Sequence, residues 1–207
     1  MTISPAGRKN LSPASTRAYE RLLQAGTELM AREGLDGVNT NTIARAAHVG
    51  VGTFYQYFGD KFALHRAIVQ RALEGLQQRL SEAHRASEQQ SLEAQVRSGL
   101  VALVGFAQEE PALFRVTFGR SASAARLHAR RRPAGLGLSP RPLELRLRDH
   151  LEQGQLDPAV EPRIAARAFM EMQVRAVVHW LEDPDQAPAA ALIETLTRLH
   201  PVLAGQR

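Results

Sequence analysis

The sequence contains no cysteine, which excludes a disulfide framework, a thiolate nucleophile and any thiolate-based zinc site. It also lacks an apolar run of about 18 residues, the length at which a stretch begins to read as a transmembrane helix. The N-terminal MTISPAGRKNLSPAST has no apolar core ahead of a cleavage site, so no secretory leader is expected. Cytoplasm is the expected location and no membrane partner is expected. Alternating β-branched runs, the mark of strands, are missing as well. The seven histidines, at 48, 65, 84, 128, 150, 179 and 200, form no H-E-x-x-H or similar metal spacing. Nor is there a G-x-S-x-G, a Walker loop or a dinucleotide fingerprint. No metal, no cofactor and no catalytic residue is therefore assigned. Glu171 and His179 lie two turns apart on one predicted helix and could share the face of a pocket, although surface positions explain them better.

What is present has helical period nearly throughout, and the fold class expected is all-α. A first helix opens near Ser12-Pro13, or at Ser15 or Thr16, with Ala18, Leu22, Ala25 and Leu29 as its apolar stripe. Gly34 is placed to end it in a left-handed conformation. Asn39 caps a short second helix whose Ile43, Ala44 and Ala47 face inward. A third begins at Gly50 or Val51 and runs to about Phe58. Asp60 caps a long helix reaching about Ala86, and another spans roughly Ser91 to Gln108 before Pro111. From Gly119 to Pro142 the chain turns rich in Gly, Ser, Pro, Ala and Arg, which predicts a loop, or a loop enclosing one short helix near 122–131. Helices resume at about 142–154, 161–182 and 188–204.

The net charge is +5 and the sequence pI about 10.4. An arginine-rich excess suits a polyanionic partner, though solubility accounts for it equally. Aromatics are only 5% of the chain, yet the stretch 48-HVGVGTFYQYFGDK-61 crowds Phe54, Tyr55, Tyr57 and Phe58 together. Two short helices joined by a tight turn, the second marked by polar and aromatic residues, form the pattern of a helix-turn-helix. Set at 100° steps, Val51, Phe54 and Phe58 share one side with Tyr55 at its flank. Gly52, Thr53, Gln56 and Tyr57 are taken as the outward set, able to meet a major groove, where Gln can bond adenine and Thr or Tyr a base or phosphate. Gly52 lets the backbone approach DNA closely, and Lys61 can neutralise a phosphate.

The run from Gly34 to Leu64, G-x-x-x-x-x-T-x-x-I-A followed by V-G-V-G-T-F-Y-Q-Y-F-G-D-K-x-x-L, resembles the DNA-binding domain of the tetracycline-repressor (TetR) family. The resemblance implies a three-helix helix-turn-helix domain over 12–60 and a larger helical effector-binding and dimerisation domain over 61–207. It implies a homodimer on double-stranded operator DNA, with Thr40, Tyr55 and Lys61 at phosphates. Gly52, Thr53, Gln56 and Tyr57 would face the bases, and Asn41 would stand within reach of a base edge. The sequence departs from the family pattern at the turn, where His48 replaces the common Gly, and at the cap, where Gly50 replaces Ser. His tolerates positive φ better than most residues, and Gly caps only slightly less well than Ser.

Beyond this motif the expectations rest on helix faces. The helix at 161–182 is apolar nearly all round toward its end, so it must be buried on more than one side. Val174, Val177, Val178 and Leu181, with the stripe Leu192, Leu196 and Leu199 of the last helix, are predicted to form a four-helix dimer interface. A pocket is expected between 91–118 and the inner side of 161–182, lined by Phe106, Phe114, Phe118, Met170 and Trp180, with Arg115 as polar anchor. A largely apolar pocket favours a hydrophobic or amphipathic small-molecule effector, although core packing would explain each of these residues too. The basic run 126-RLHARRRP-133 is a solvated loop, or else a site for an acidic ligand or auxiliary DNA contact. The expected function is a ligand-responsive regulator, most simply a repressor. The alternative is a helical ligand-binding protein or enzyme with no DNA role.

Overall fold

The computed structural model describes residues 13–119, 140–154 and 156–200. Among these the chain is helical, without strands: α1 Pro13–Gly37, α2 Thr40–Ala46, α3 Val51–Tyr57, α4 Lys61–Ser87, α5 Leu92–Glu109, α6 Pro111–Phe118, α7 Arg141–Glu152, α8 Pro162–Glu182 and α9 Ala189–Arg198, with a 3-10 turn at Pro184–Gln186. The short helix predicted near 122–131, the basic run 126–133 and Leu203 lie outside the described residues.

The local signals act as expected. Gly34 breaks α1 with φ 74°; nothing within 4 Å would crowd a Cβ there, so glycine is required by the backbone and not by space. Asn39 caps α2 through a reciprocal box with Thr42, in which Asn39 Oδ1 accepts from Thr42 N at 2.9 Å and Thr42 Oγ1 from Asn39 N at 3.2 Å. His48 holds the turn at φ 54°. Asp60 Oδ1 accepts from Ala63 N at the head of α4, and Ser91 and Glu161 cap α5 and α8 in the same way.

The chain divides into two compact units, and the division falls inside α4, between Ala72 and Leu73. Among the described residues the first unit holds 13–72 and 112–119, the second 73–111 and 140–200. The core of the first joins Leu22, Met30, Ile43, Phe54, Leu64 and Ile68. At Gly26 an added Cβ would stand 2.7 Å from Leu64 Cδ2, so a larger residue there would require the Leu64 side chain to shift. Leu113 and Val116 of α6 pack on this same core, and Phe114 is fully buried with its ring 4.7 Å from that of Phe118. In the second unit α7 and α8 pair through Leu147, Leu156 and Ala166. There α9 is tied to α5 by Arg97, whose guanidinium lies 2.7 Å from Glu194 Oε2.

Candidate functional site

The aromatic cluster divides differently from the wheel reading. Phe54, Tyr57 and Phe58 are all buried; only Tyr55, 54% exposed, is not. Tyr57 is 6% exposed, its hydroxyl donating to Ser15 O at 2.9 Å. Its ring stands edge-on to Tyr19 at 5.8 Å, while Tyr19 stacks on Phe58 at 5.3 Å. Placing Tyr57 among the base-facing residues was therefore wrong. Three residues beyond Phe54 is only about 60° away around a helix, so the ring belongs to the inner face, and its polar tip is satisfied by the backbone of α1.

The other residues of the outward set are at or near the surface. Gly52, Tyr55 and Gln56 are exposed on α3, Thr53 is half-buried, and Asn41 is exposed in the first turn of α2. No atom of the protein lies within 4 Å of a Cβ added at Gly52, so packing does not dictate glycine there. Thr40 Oγ1 and Tyr55 Oη meet at 3.3 Å, joining the start of α2 to the flank of α3 and presenting two hydroxyls together. Lys61 has local duties: Nζ donates to Val38 O at 2.9 Å and to Asp36 O at 3.4 Å, which pins the α1–α2 connection and leaves the third ammonium proton for a phosphate. Gly50 provides no side-chain cap for α3. Arg45 is exposed on α2, one turn beyond Asn41.

In the second unit a cavity of about 510 Å³ is lined by α4, α5, α7 and α8, with His200 beyond α9 also on its wall. Of the six predicted lining residues only Met170 is on its wall. Phe114, Arg115 and Phe118 belong to α6 and the first unit. Phe106 packs instead near Gly75 and under the Arg79 guanidinium, 5.4 Å from its centroid. Trp180 is buried, donating from Nε1 to Ala187 O at 2.7 Å. Amphipathic periodicity marks which face is buried, not whether it meets a core or a void.

The polar groups on this wall went unnoticed in the sequence. His84 comes from α4, Arg146 and His150 from α7, and His200 from the chain end. Arg146 Nη1 stands 3.5 Å from His84 Nδ1. The His200 ring meets Phe169 edge-on at 4.6 Å; burial, with the positive charges of Arg146 and His150, pushes its pKa down to about 4. Burial also lowers the pKa of Arg146, yet a guanidinium stays charged. Glu171 and His179 do not line the cavity: Glu171 faces Arg167 and His179 faces Glu182 at the surface.

The predicted interface residues also fall differently. Val177 is 0% exposed, and Val178, Leu181 and Leu196 are buried within one chain. Val174 lines the cavity, Leu192 is half-buried, and only Leu199 is exposed. The doubly apolar end of α8 is explained by its own unit. Apolar residues also exposed in this unit among the described residues are Val101 on α5, Leu145 on α7 and Ile164 and Met172 on α8, Ile164 at 69%. Among the described residues no helix is long and apolar enough to cross a membrane.

The family model for bacterial regulatory proteins of the tetR family matches residues 22–68. Over 55 residues the chain is 42% identical to the uncharacterized HTH-type transcriptional regulator YvdT of Bacillus subtilis, covering 27% of this chain and 28% of that one. The solved structure of the fatty acid degradation regulator FadR from Bacillus halodurans superposes with a TM-score of 0.70 at 19% identity, covering 96% of this chain and 98% of that. FadR from Bacillus subtilis, solved with stearoyl-CoA, gives 0.68 at 18%, covering 91% and 100%. At such identities the structures speak for the fold alone, which extends well past the matched segment. Residues 22–68, which hold the helix-turn-helix, thus resemble the bacterial regulatory proteins of the tetR family, and the all-helical fold is similar to that of the solved FadR structures.

Proposed function

We propose that this protein is a ligand-responsive transcriptional repressor that binds an inverted-repeat operator as a homodimer and leaves it when a small molecule fills the second unit's cavity. The observation that carries the reading is the outer face of the helix-turn-helix. Gln56, Thr53 and Gly52 on α3, with Asn41 on α2, meet base edges, while Thr40, Tyr55, Lys61 and Arg45 hold phosphates. Residues 12–60, with Lys61 at the head of α4, serve DNA, and the rest of 61–207 serves effector and partner. Leu145, Ile164 and Met172 offer apolar surface for a second copy, in place of Val177 and its neighbours.

The effector is amphipathic: the cavity is within the 300–1,000 Å³ or so usual for ligand sites, with an apolar wall and a polar end. The Bacillus subtilis FadR structure holds stearoyl-CoA, an amphipathic ligand on a similar fold. Since α4 enters both units, a change of cavity occupancy reaches the DNA-binding unit through one continuous helix and shifts the population that fits the operator. Footprinting on the promoter of its own gene, followed by a ligand screen for release, tests this. Protection of two inverted half-sites is expected, and expression from a promoter fusion should rise on deletion of the gene. Expression that falls on deletion would make the protein an activator and overturn the repressor reading.

A further inference from the structure

Four basic side chains enter the cavity from three places. His84 descends from α4, Arg146 and His150 come from α7, and His200 follows α9. The other two walls add no charge at this end: α5 contributes Gln95 and α8 contributes Gln173. Among the described residues, none of the lining side chains is a carboxylate. Arg146 is thus a partly buried guanidinium whose contact across the cavity is the ring nitrogen of His84 at 3.5 Å. A histidine accepting there is neutral and cannot balance the charge. Even a partly buried cation is held less well than in water when no counter-ion stands beside it, and an anion from outside the chain relieves this. The rest of the wall, including Leu100, Leu103, Phe169 and Met170, is apolar.

We propose that the effector is an anionic amphiphile whose carboxylate or phosphate sits on Arg146 among His84, His150 and His200, and that its binding draws a proton onto this histidine cluster. The identification rests on the cavity being the effector site. The recognition is a charge-assisted hydrogen bond in a low-dielectric setting, where it discriminates strongly between an anion and a neutral group of the same length. The proton follows from electrostatics. Without ligand, burial, Arg146 and His150 together hold His200 neutral; a negative charge nearby reverses the charge contribution and favours imidazolium.

Isothermal titration of the full-length protein with decanoate, decyl phosphate and decanol separates the possibilities. One of the anions should bind at least about tenfold more tightly than decanol, the gain of a charged over a neutral hydrogen bond; which anion is tighter identifies the head group. Arg146→Gln should remove that advantage and leave decanol binding unchanged, while Arg146→Lys should restore part of it. Removing a partly buried cation does not threaten the fold, and a thermal melt verifies this for each variant. Affinity for the anion should be higher at about pH 6 than at about pH 8, with net proton uptake seen as a dependence of the heat on the buffer. Decanol binding as tightly as the anions, an unaffected Arg146→Gln variant, or no binding of either anion would overturn the proposal. Binding without proton uptake would overturn its histidine part. Operator release is scored separately. An anion that binds through Arg146 but leaves the DNA complex intact supports the ligand chemistry and contradicts the effector reading. Release by decanol and not by the anions does the reverse.

Discussion

In the first unit aromatic rings point inward and polar groups outward; in the second, basic groups point into a cavity while Ile164 and Leu145 remain at the surface. Both are made of amphipathic helices, so the difference lies in what each has to meet. A polyanion the size of DNA is met on an outer surface, where a rigid platform holds hydroxyls, amides and cations at fixed spacing. A small ligand is surrounded, and charge recognition gains strength when water is excluded. The consequence is a contrast in tolerance. The rings under α3 carry the fold, and the polar residues above them are the ones proposed to recognise DNA. In the cavity, His200 bears on stability through its burial, while Arg146 is the group proposed to recognise the ligand.

The largest effect should come from Tyr57→Ala. The ring is packed against Tyr19 and Phe58, and its hydroxyl is bonded to Ser15, so truncation should cost about 3–5 kcal/mol, measured by urea unfolding. Tyr57→Phe should cost only about 1 kcal/mol. If Tyr57→Ala folds normally and loses only sequence discrimination, the platform has been drawn inside out.

Acid provides the next contrast. His200 has a folded pKa of about 4 against about 6.5 unfolded. The unfolded chain thus takes up a proton first, and stability that is complete above pH 6.5 is lost as pH falls toward 4. The loss amounts to roughly 3 kcal/mol. Melts across this range should show it, and His200→Gln should flatten the profile. An unchanged slope in that variant would place the acid sensitivity elsewhere.

Gln56→Ala should cost about 1–3 kcal/mol against the preferred operator and leave non-specific binding nearly intact. Lys61→Ala should give the smallest change. All duplexes should weaken alike, with the slope of log K against log salt flattened by roughly one unit per subunit. A small loss of stability should accompany it from the freed carbonyls of Val38 and Asp36.

The first unit was largely legible because its signals are local. Asn39 with Thr42, Gly34, His48 and Asp60 act within a few residues of themselves, and the outer face of α3 follows from its period. Tyr57 misled because its polarity suggested water while its position did not. The cavity was not legible. His84, Arg146 and His200 are far apart in the chain and converge only once α4, α7 and the end of α9 are packed together. Val177 shows the same limit from the other side. An apolar helix announces that it is buried, and only the packing says against what.

The central claim is that the outer face of α2 and α3 reads DNA sequence. It is tested most directly by titrating the protein on its own promoter duplex and on a scrambled duplex of equal length, at two salt concentrations. The account expects the promoter duplex to bind at least about a thousandfold more tightly, with both affinities falling steeply as salt rises. Equal affinity for the two duplexes, whatever the salt, would contradict it.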